Sequence, residues 1–419
     1  MTVDRSVALI HYTAPPVVGG VESVLGHHAR LLSSAGNQVR MIAGRGEPLD
    51  GRVPLISIPL ADSSHPDILK AKRSLDEGTL PDGFETLVAA LEGQLARALA
   101  SVEVVIAHNV CSLHKNLALT AALHRVCSRP GAPALIAWHH DLAWVVPRYS
   151  GELHGGWPWD LLRENWANAR TRHVTVSERR QAELAGLFGL DLAEIGVIPS
   201  GLDLQRFFKL EAETVKLVGR LRLVEADLLL LLPVRITRRK NIELALKVTA
   251  VLRESYPQTA LIVTGPPGPH NPKNVLYLEE LRALRGELGL DPDPAKSASG
   301  VHFLAEIVPH YLSDAVISDF YRLADALIFP SLEEGFGIPM IEAGLSGLPI
   351  FASDLPVLRE LADEGAYFFA PDGDPATIAK QVADTLGSLP GVSLKAKVRQ
   401  EYTWEGVFTR KIAPLLSGL

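Results

Sequence analysis

Short apolar runs recur along the chain, each followed by a longer stretch in which apolar residues return every three or four positions. Residues 7–11 (VALIH), 39–43 (VRMIA), 102–107 (VEVVIA), 133–138 (PALIAW) and 173–176 (HVTV) are apolar runs of strand length. Runs without polar alternation predict strands covered on both faces, the habit of a parallel sheet. Between them the spacing predicts helices over 21–34, 84–100, 113–127 and 178–188. The second half repeats the rhythm, with strands predicted at 228–234, 260–265, 301–304, 326–331, 348–353 and 366–370. Its helices are predicted over 241–255, 275–288, 339–345, 356–361 and 375–386. Two such sets predict two doubly wound α/β domains. The division falls near 201–215, after IPSGLDLQRFF, which gives an N-terminal domain at 1–205 and a second at 206–393. The last helical segment, 394–419, is expected to pack back onto the first domain. If the domains face each other, a cleft lies at the C-terminal ends of their strands, where such sheets bind ligands. Residues 46–81, rich in Pro, Asp, Ser and Gly, break the rhythm and are expected to form a long surface excursion.

Composition narrows the function classes. The chain has 419 residues, 47% hydrophobic and 21% charged, enough apolar material for large cores and too much for disorder. Its 41 basic and 48 acidic residues leave a net charge of −7, and aromatics make up 6%. That balance excludes a wholesale nucleic-acid surface. The two cysteines, Cys111 and Cys127, lie in apolar stretches. They are too few for a disulfide framework or a four-cysteine zinc site and are expected to be buried. The first apolar run is shorter than a signal-peptide core, and the run at 228–234 is too short to span a bilayer. A reducing, cytoplasmic setting is therefore expected. Peripheral membrane contact stays open, and the oligomeric state is not legible.

Four stretches carry candidate chemistry. In 331–350, SLEEGFGIPMIEAGLSGLPI, a strand runs into a glycine loop and Pro339 stands where a helix begins. Gly335 and Gly337 allow close approach of a ligand, and the helix start offers free N–H groups and a positive dipole end to a phosphate. Glu334 and Glu342, eight apart, are placed in the loop and the first helical turn, where carboxylates can accept from the paired hydroxyls of a sugar or ribose. In 231–246, LLPVRITRRKNIELAL, Arg235 follows a strand and Lys240 lies five residues on, beside Arg238 and Arg239. Cations at a strand exit suit a diphosphate, Arg as a fork and Lys as a point charge. In 11–32, Gly19 and Gly20 precede a helix whose first turn holds Glu22, a phosphate-type turn without a full dinucleotide or P-loop pattern. In 136–144, His139, His140 and Asp141 follow a strand; metal binding, acid–base chemistry, hydroxyl binding and a structural role all fit them. The aspartate pairs 291/293 and 372/374 read as polar turns, and Ser177 as a helix N-cap.

Taken together, GGVE (19–22), HHD (139–141), VIPSGLD (197–203), Arg235 with Lys240 and Asn241, and EGFGIPMIEA (334–343) resemble glycosyltransferase family 4 in order and kind. The resemblance covers nearly the whole chain, and the spacing of Glu334 and Glu342 is its most specific part. It implies the GT-B fold, two Rossmann-like doubly wound domains, and a retaining transfer of a hexosyl unit from a nucleotide-diphosphate sugar to a hydroxyl acceptor. No cofactor and no divalent metal are implied. By the same resemblance Glu334 bonds donor-sugar hydroxyls with help from the backbone at Phe336, Gly337 and Ile338, and Glu342 holds the ribose. Arg235 and Lys240 neutralise the diphosphate, Gly19 and Gly20 admit it, His140 (with His139 as its near double) sits by the donor sugar, and 302–304 lies near the nucleobase. Ser200 and Ala305 depart from the common pattern, as does the long turn at 265–272, which leaves the base unassigned. Alternatives on the same fold are a sugar-nucleotide epimerase, a phosphorylase, or a nucleotide-sugar-binding protein without turnover.

Overall fold

The computed structural model describes residues 5–166 and 170–418. The chain divides into two compact units, Met1–Gly201 with Trp404–Leu419, and Leu202–Thr403.

Unit 1 is built on a seven-stranded, all-parallel sheet. Its strands are β1 (Ser6–Ile10), β2 (Gln38–Ala43), β3 (Leu55–Ser57), β4 (Val104–His108), β5 (Ala134–His139), β6 (Thr171–Thr175) and β7 (Ile195–Val197). Their order is β3-β2-β1-β4-β5-β6-β7, with Ile10 facing Ala107 across the central β1–β4 pair. The helices are α1 (Gly20–Ser34), α2 (Pro66–Asp76), α3 (Phe84–Ala98), α4 (Leu117–Cys127) and α5 (Glu178–Phe188). Side chains of a strand alternate between faces, and β1 shows the consequence. Val7 and Leu9 join a core with α1, whereas Ala8 and Ile10 join another with α2, α3 and α4. Both faces are apolar, so the strands read as unbroken hydrophobic runs.

Unit 2 carries a six-stranded parallel sheet, β8 (Leu228–Leu232), β9 (Thr259–Val263), β10 (Gly300–Phe303), β11 (Ala326–Phe329), β12 (Ile350–Ser353) and β13 (Tyr367–Phe369), ordered β10-β9-β8-β11-β12-β13. Its helices are α6 (Leu204–Phe208), α7 (Ala212–Arg220), α8 (Ile242–Leu252), α9 (Lys273–Glu287), α10 (Asp314–Leu323), α11 (Ile338–Leu345), α12 (Pro356–Ala362), α13 (Pro375–Ser388) and α14 (Pro390–Glu401). The chain then re-enters unit 1 as α15 (Trp404–Val407), a π-helical stretch Phe408–Ile412, and α16 (Ala413–Ser417). Val407, Ile412 and Leu416 complete the core on the α1 side of the first sheet. The return therefore begins at Trp404, not near 394, because α14 belongs to unit 2.

Each sheet has one switch point, where the strand order reverses: between β1 and β4 in unit 1, and between β8 and β11 in unit 2. Ligands of such sheets bind outside the strand C-termini there. The expected doubly wound α/β class describes both units, and the two Rossmann-like units are those of the GT-B fold. Residues 46–81 differ from the expected loop, since β3 extends the sheet edge and α2 buries Ile68, Ala71 and Leu75. Among the described residues no helix is long and apolar enough to cross a membrane.

Candidate active site

At the switch point of unit 2 two strand exits meet. β8 leads to Arg235 and a 3-10 turn, Arg238–Lys240; β11 leads to Ser331 and the glycine loop. Lys240 Nζ forms an ion pair with Glu334 Oε1, and Ser331 Oγ donates to the same oxygen at 2.6 Å. Arg239 stands 3.7 Å from the other carboxylate oxygen. The side chains of Lys240 and Glu334 are only 9% and 6% exposed, so the pair is a nearly buried one. Burial pushes the Lys240 ammonium below its usual range, and the Glu334 carboxylate works against that shift. Arg235, the other expected cation, is exposed and makes no ion pair among the described residues. Arg238 is turned away, bound to Glu280 and lying over the Tyr277 ring. Lys240 and Glu334 are thus brought together in an ion pair in which Arg235 takes no part.

α11 begins at Ile338, with Gly337 as its cap in the left-handed region at φ 102. A Cβ at Gly337 would lie 2.7 Å from Leu358 Cδ2, so both backbone and packing require glycine. Phe336 and Ile338 stand exposed on either side. Glu342 is in the second turn of α11, one turn later than the sequence spacing suggests, because the helix starts at Ile338. Tyr321 of α10 donates its hydroxyl to Glu342 Oε2 at 2.6 Å, and burial raises the pKa of that phenol. At the ends of β9 and β10 lies a cavity of about 250 Å³ lined by Thr264, Pro266, Pro267, Leu304 and Ala305. His302 does not face it; its ring is buried and bonds Ala298 O at 3.0 Å.

In unit 1 the loop after β1 ends at Gly19, the cap of α1, and Gly20 opens the helix in an exposed position. Glu22 turns back over the cap. Its Oε1 accepts from Thr13 Oγ1 at 2.6 Å and lies 3.8 Å from His11 Nε2. A Cβ on Gly19 would meet this carboxylate at 2.0 Å, so glycine is what admits Glu22. His140, half-buried after β5, places Nε2 3.1 Å from His108 Nδ1. Burial first, and His11 second, hold His140 down to about 3, so its imidazole is neutral. His139 points the other way, buried against His173 at 3.1 Å, which separates the two adjacent histidines.

Two family models match along the chain: "Glycosyltransferase Family 4" over residues 18–206 and "Glycosyl transferases group 1" over residues 217–390. Together they take in both strand exits described above. The chain belongs to the group 1, family 4 glycosyltransferases.

Among relatives of this glycosyltransferase is a mannosylglucosylglycerate synthase from Petrotoga mobilis, 25% identical over 84% of this chain and 83% of the relative. An MMP alpha-(1->4)-mannosyltransferase from Mycolicibacterium hassiacum is 25% identical over 97% of both chains. The crystal structure of Anabaena Alr3699/HepE in complex with UDP and glucose aligns over 99% of this chain and 100% of its own, at 17% identity and a TM-score of 0.37.

Ser331 and the pair His108–Asn109, at the glycosyltransferase's strand exits, and Tyr321, on α10, escape a motif reading. Only the strand exits themselves, HN after VEVVIA and PS after ALIF, would have marked three of them. Other expectations are met locally. Ser177 caps α5, Asp374 caps α13, Asp291 and Asp293 pair with Arg285 and Lys296, and both cysteines are buried. Trp138 is core, and Trp144 is half-buried, its indole N–H donating to Trp159 O at 3.3 Å. Asp76, His114 and Glu152 converge in a metal-like grouping. Lys72 Nζ already bonds Asp76 at 2.6 Å and Glu152 at 2.8 Å, so an ammonium supplies the cation there.

Proposed function

We propose that the chain is a retaining, metal-independent hexosyltransferase that moves a sugar from a nucleotide diphosphate to a hydroxyl acceptor. The observation that carries this reading is the buried Lys240–Glu334 pair beside the free N-terminus of α11, at the switch point of a Rossmann-type sheet. The names of the relatives favour mannose as the hexose to try first.

Breaking the bond between the anomeric carbon and the diphosphate oxygen sends the electron pair to that oxygen. Lys240, the exposed Arg235 and the α11 dipole supply fixed positive charge for it, which is worth most where water is excluded. That charge comes from side chains and a helix terminus, so no divalent ion is required to provide it. Glu334 serves sugar hydroxyls as an acceptor, and Glu342, steadied by Tyr321, serves the ribose. The 250 Å³ cavity takes the base. Its walls include Pro266 and Pro267 of the long turn, so base choice is set partly by that turn. His140 bonds a hydroxyl of the transferred sugar. No carboxylate in this set is placed as a nucleophile. The acceptor oxygen therefore attacks on the face the diphosphate leaves, passing its proton to the departing oxygen.

Mannose and glucose donors carrying uridine, guanosine or adenosine diphosphate, offered with small hydroxyl acceptors in EDTA, test the reading. Transfer with the donor's anomeric configuration kept, read by proton NMR of the product, is expected. Inverted product, activity only with added magnesium or manganese, or epimerised donor without transfer would each overturn a named part of it.

A further inference from the structure

β4 leaves the sheet of unit 1 at His108, and Asn109 follows in the left-handed region at φ 61. Non-glycine residues pay for that conformation, and Asn tolerates it best. Here the Asn109 side chain uses it. Oδ1 accepts the backbone N–H of His140 at 2.8 Å and of Asp141 at 3.2 Å. The preceding residue reaches the same target by its ring, His108 Nδ1 lying 3.1 Å from His140 Nε2. Backbone and imidazole of His140 are thus both held by consecutive residues of a neighbouring strand exit, and both holders are buried.

The bond between the two rings has a direction. Burial, reinforced by neighbouring histidines, keeps both rings far below the usual range, so each is neutral and carries one N–H. His108 Nε2 is sealed from solvent with no partner among the described residues, beside the rings of His28 and Trp138. If His140 donated, the proton of His108 would sit on this sealed nitrogen as an orphaned N–H. If His108 donates, only a lone pair is stranded there, and buried orphan donors are the rarer defect. The carbonyl of His108 is itself fixed, 2.8 Å from His11 Nδ1.

We propose that His108 and Asn109 are positioning residues for His140: His108 donates Nδ1–H to His140 Nε2, which fixes His140 as the Nδ1–H tautomer and frees that N–H for a sugar hydroxyl. The Nδ1 atom of His140 makes no hydrogen bond among the described residues. The sugar contact rests on the function proposed above; the tautomer does not.

Long-range proton–nitrogen correlation on the full chain labelled with ¹⁵N-histidine reads the tautomer directly, with His140 assigned by His140→Gln. Protonation at Nδ1 is expected in the unsubstituted protein, and protonation at Nε2 would overturn the proposal. His108→Phe keeps a ring and removes the donor. It should shift His140 towards the Nε2–H form and lower kcat about 10-fold, with nucleotide affinity unchanged, while His108→Gln, which retains an N–H, recovers part of the rate. An unchanged His140 tautomer in folded His108→Phe also overturns it. Should His108→Phe fail to fold, Asn109→Gly keeps the left-handed backbone and removes the side chain that carries Oδ1; a kcat equal to that of the unsubstituted enzyme would then refute the backbone half. If the unsubstituted protein transfers no sugar, the function fails while the tautomer result still stands or falls alone.

Discussion

At the scale of single residues, the Lys240–Glu334 pair serves both stability and the proposed chemistry, and the two can be separated. Removing one member of a buried ion pair strands the other charge, at about 3–5 kcal/mol. Lys240→Ala should therefore lower the melting temperature and cut turnover roughly 10²-fold or more. Adding Glu334→Gln removes the stranded carboxylate charge, so the double variant should regain most of the stability and none of the rate. Thermal melts and single-turnover assays check this; a folded Lys240→Ala enzyme with normal turnover would remove Lys240 from the diphosphate. The two motif glutamates divide in another way. Glu342 is ordered by the Tyr321 hydroxyl, outside the Lys240 pair. Glu342→Gln should weaken binding of the free nucleotide diphosphate by about 1.5–3 kcal/mol, the worth of a charge-assisted hydrogen bond. Tyr321→Phe should weaken it less, by about 1 kcal/mol. Glu334→Gln should leave nucleotide affinity nearly unchanged and impair transfer, because the nucleotide lacks the sugar hydroxyls. Calorimetry on the three variants decides it, and the reverse pattern would exchange the two roles.

At the scale of elements, α2 shows what sequence periodicity misses. Its apolar positions Ile68, Ala71 and Leu75 keep helical spacing, but Pro66 and the surrounding Asp, Ser and Gly mask it as loop. Lys72 fastens the helix to the 3-10 turn Pro147–Glu152, and the Lys72 hydrogen bond is the chief reason Glu152 is held down to about 2. A depressed carboxylate pKa stabilises above its unfolded value and loses that contribution as pH falls towards the folded one. Lys72→Met should remove this strap, leaving Asp76 and Glu152 without their ammonium. Amide exchange in 66–76 should quicken relative to 84–98, in the opposite sense to the protection that raising pH from 2 to 5 gives the native protein. Equal exchange in both proteins would mean that apolar packing alone holds α2. The buried central strands were legible because both faces are apolar. The edge strands β3 and β7 are three residues each, too short to stand out from turns, and α7 and α10 have polar faces that hid them beside stronger runs. In the site, the glycine loop and the Lys240 turn could be read because chemistry and punctuation coincide in one segment. His108, Asn109 and Tyr321 could not, since each acts on a residue at least 21 positions away.

At the scale of the whole molecule, the histidines are distributed unevenly. His11, His28, His108, His139, His140 and His173 are all in unit 1, and all are lowered from the ordinary value, with burial as the first cause. His28 and His140 fall to about 3 and His173 to about 4. Unfolding returns each to about 6.5, so below that pH the unfolded chain binds protons the folded chain refuses. The neutral rings therefore give unit 1 its full stability above pH 6.5. Each then withdraws about 1.4 kcal/mol per pH unit on acidification, until its folded pKa is reached. Unit 2 has His302 as its one buried histidine among the described residues, so its acid loss between pH 6.5 and 5 should be several-fold smaller. All six tryptophans, 138, 144, 157, 159, 166 and 404, belong to unit 1, so tryptophan fluorescence reports that unit alone. Thermal melts at pH 7.5, 6.5 and 5.5 should show the tryptophan transition falling steeply below pH 6.5, ahead of the remaining far-ultraviolet circular dichroism signal. His28→Phe, which keeps an aromatic ring against Trp138 and Trp404 and cannot bind a proton, should flatten part of that slope. A tryptophan transition independent of pH over this range would mean that the rings are charged or solvated in the native state, and the neutral His108–His140 bond would lose its electrostatic basis.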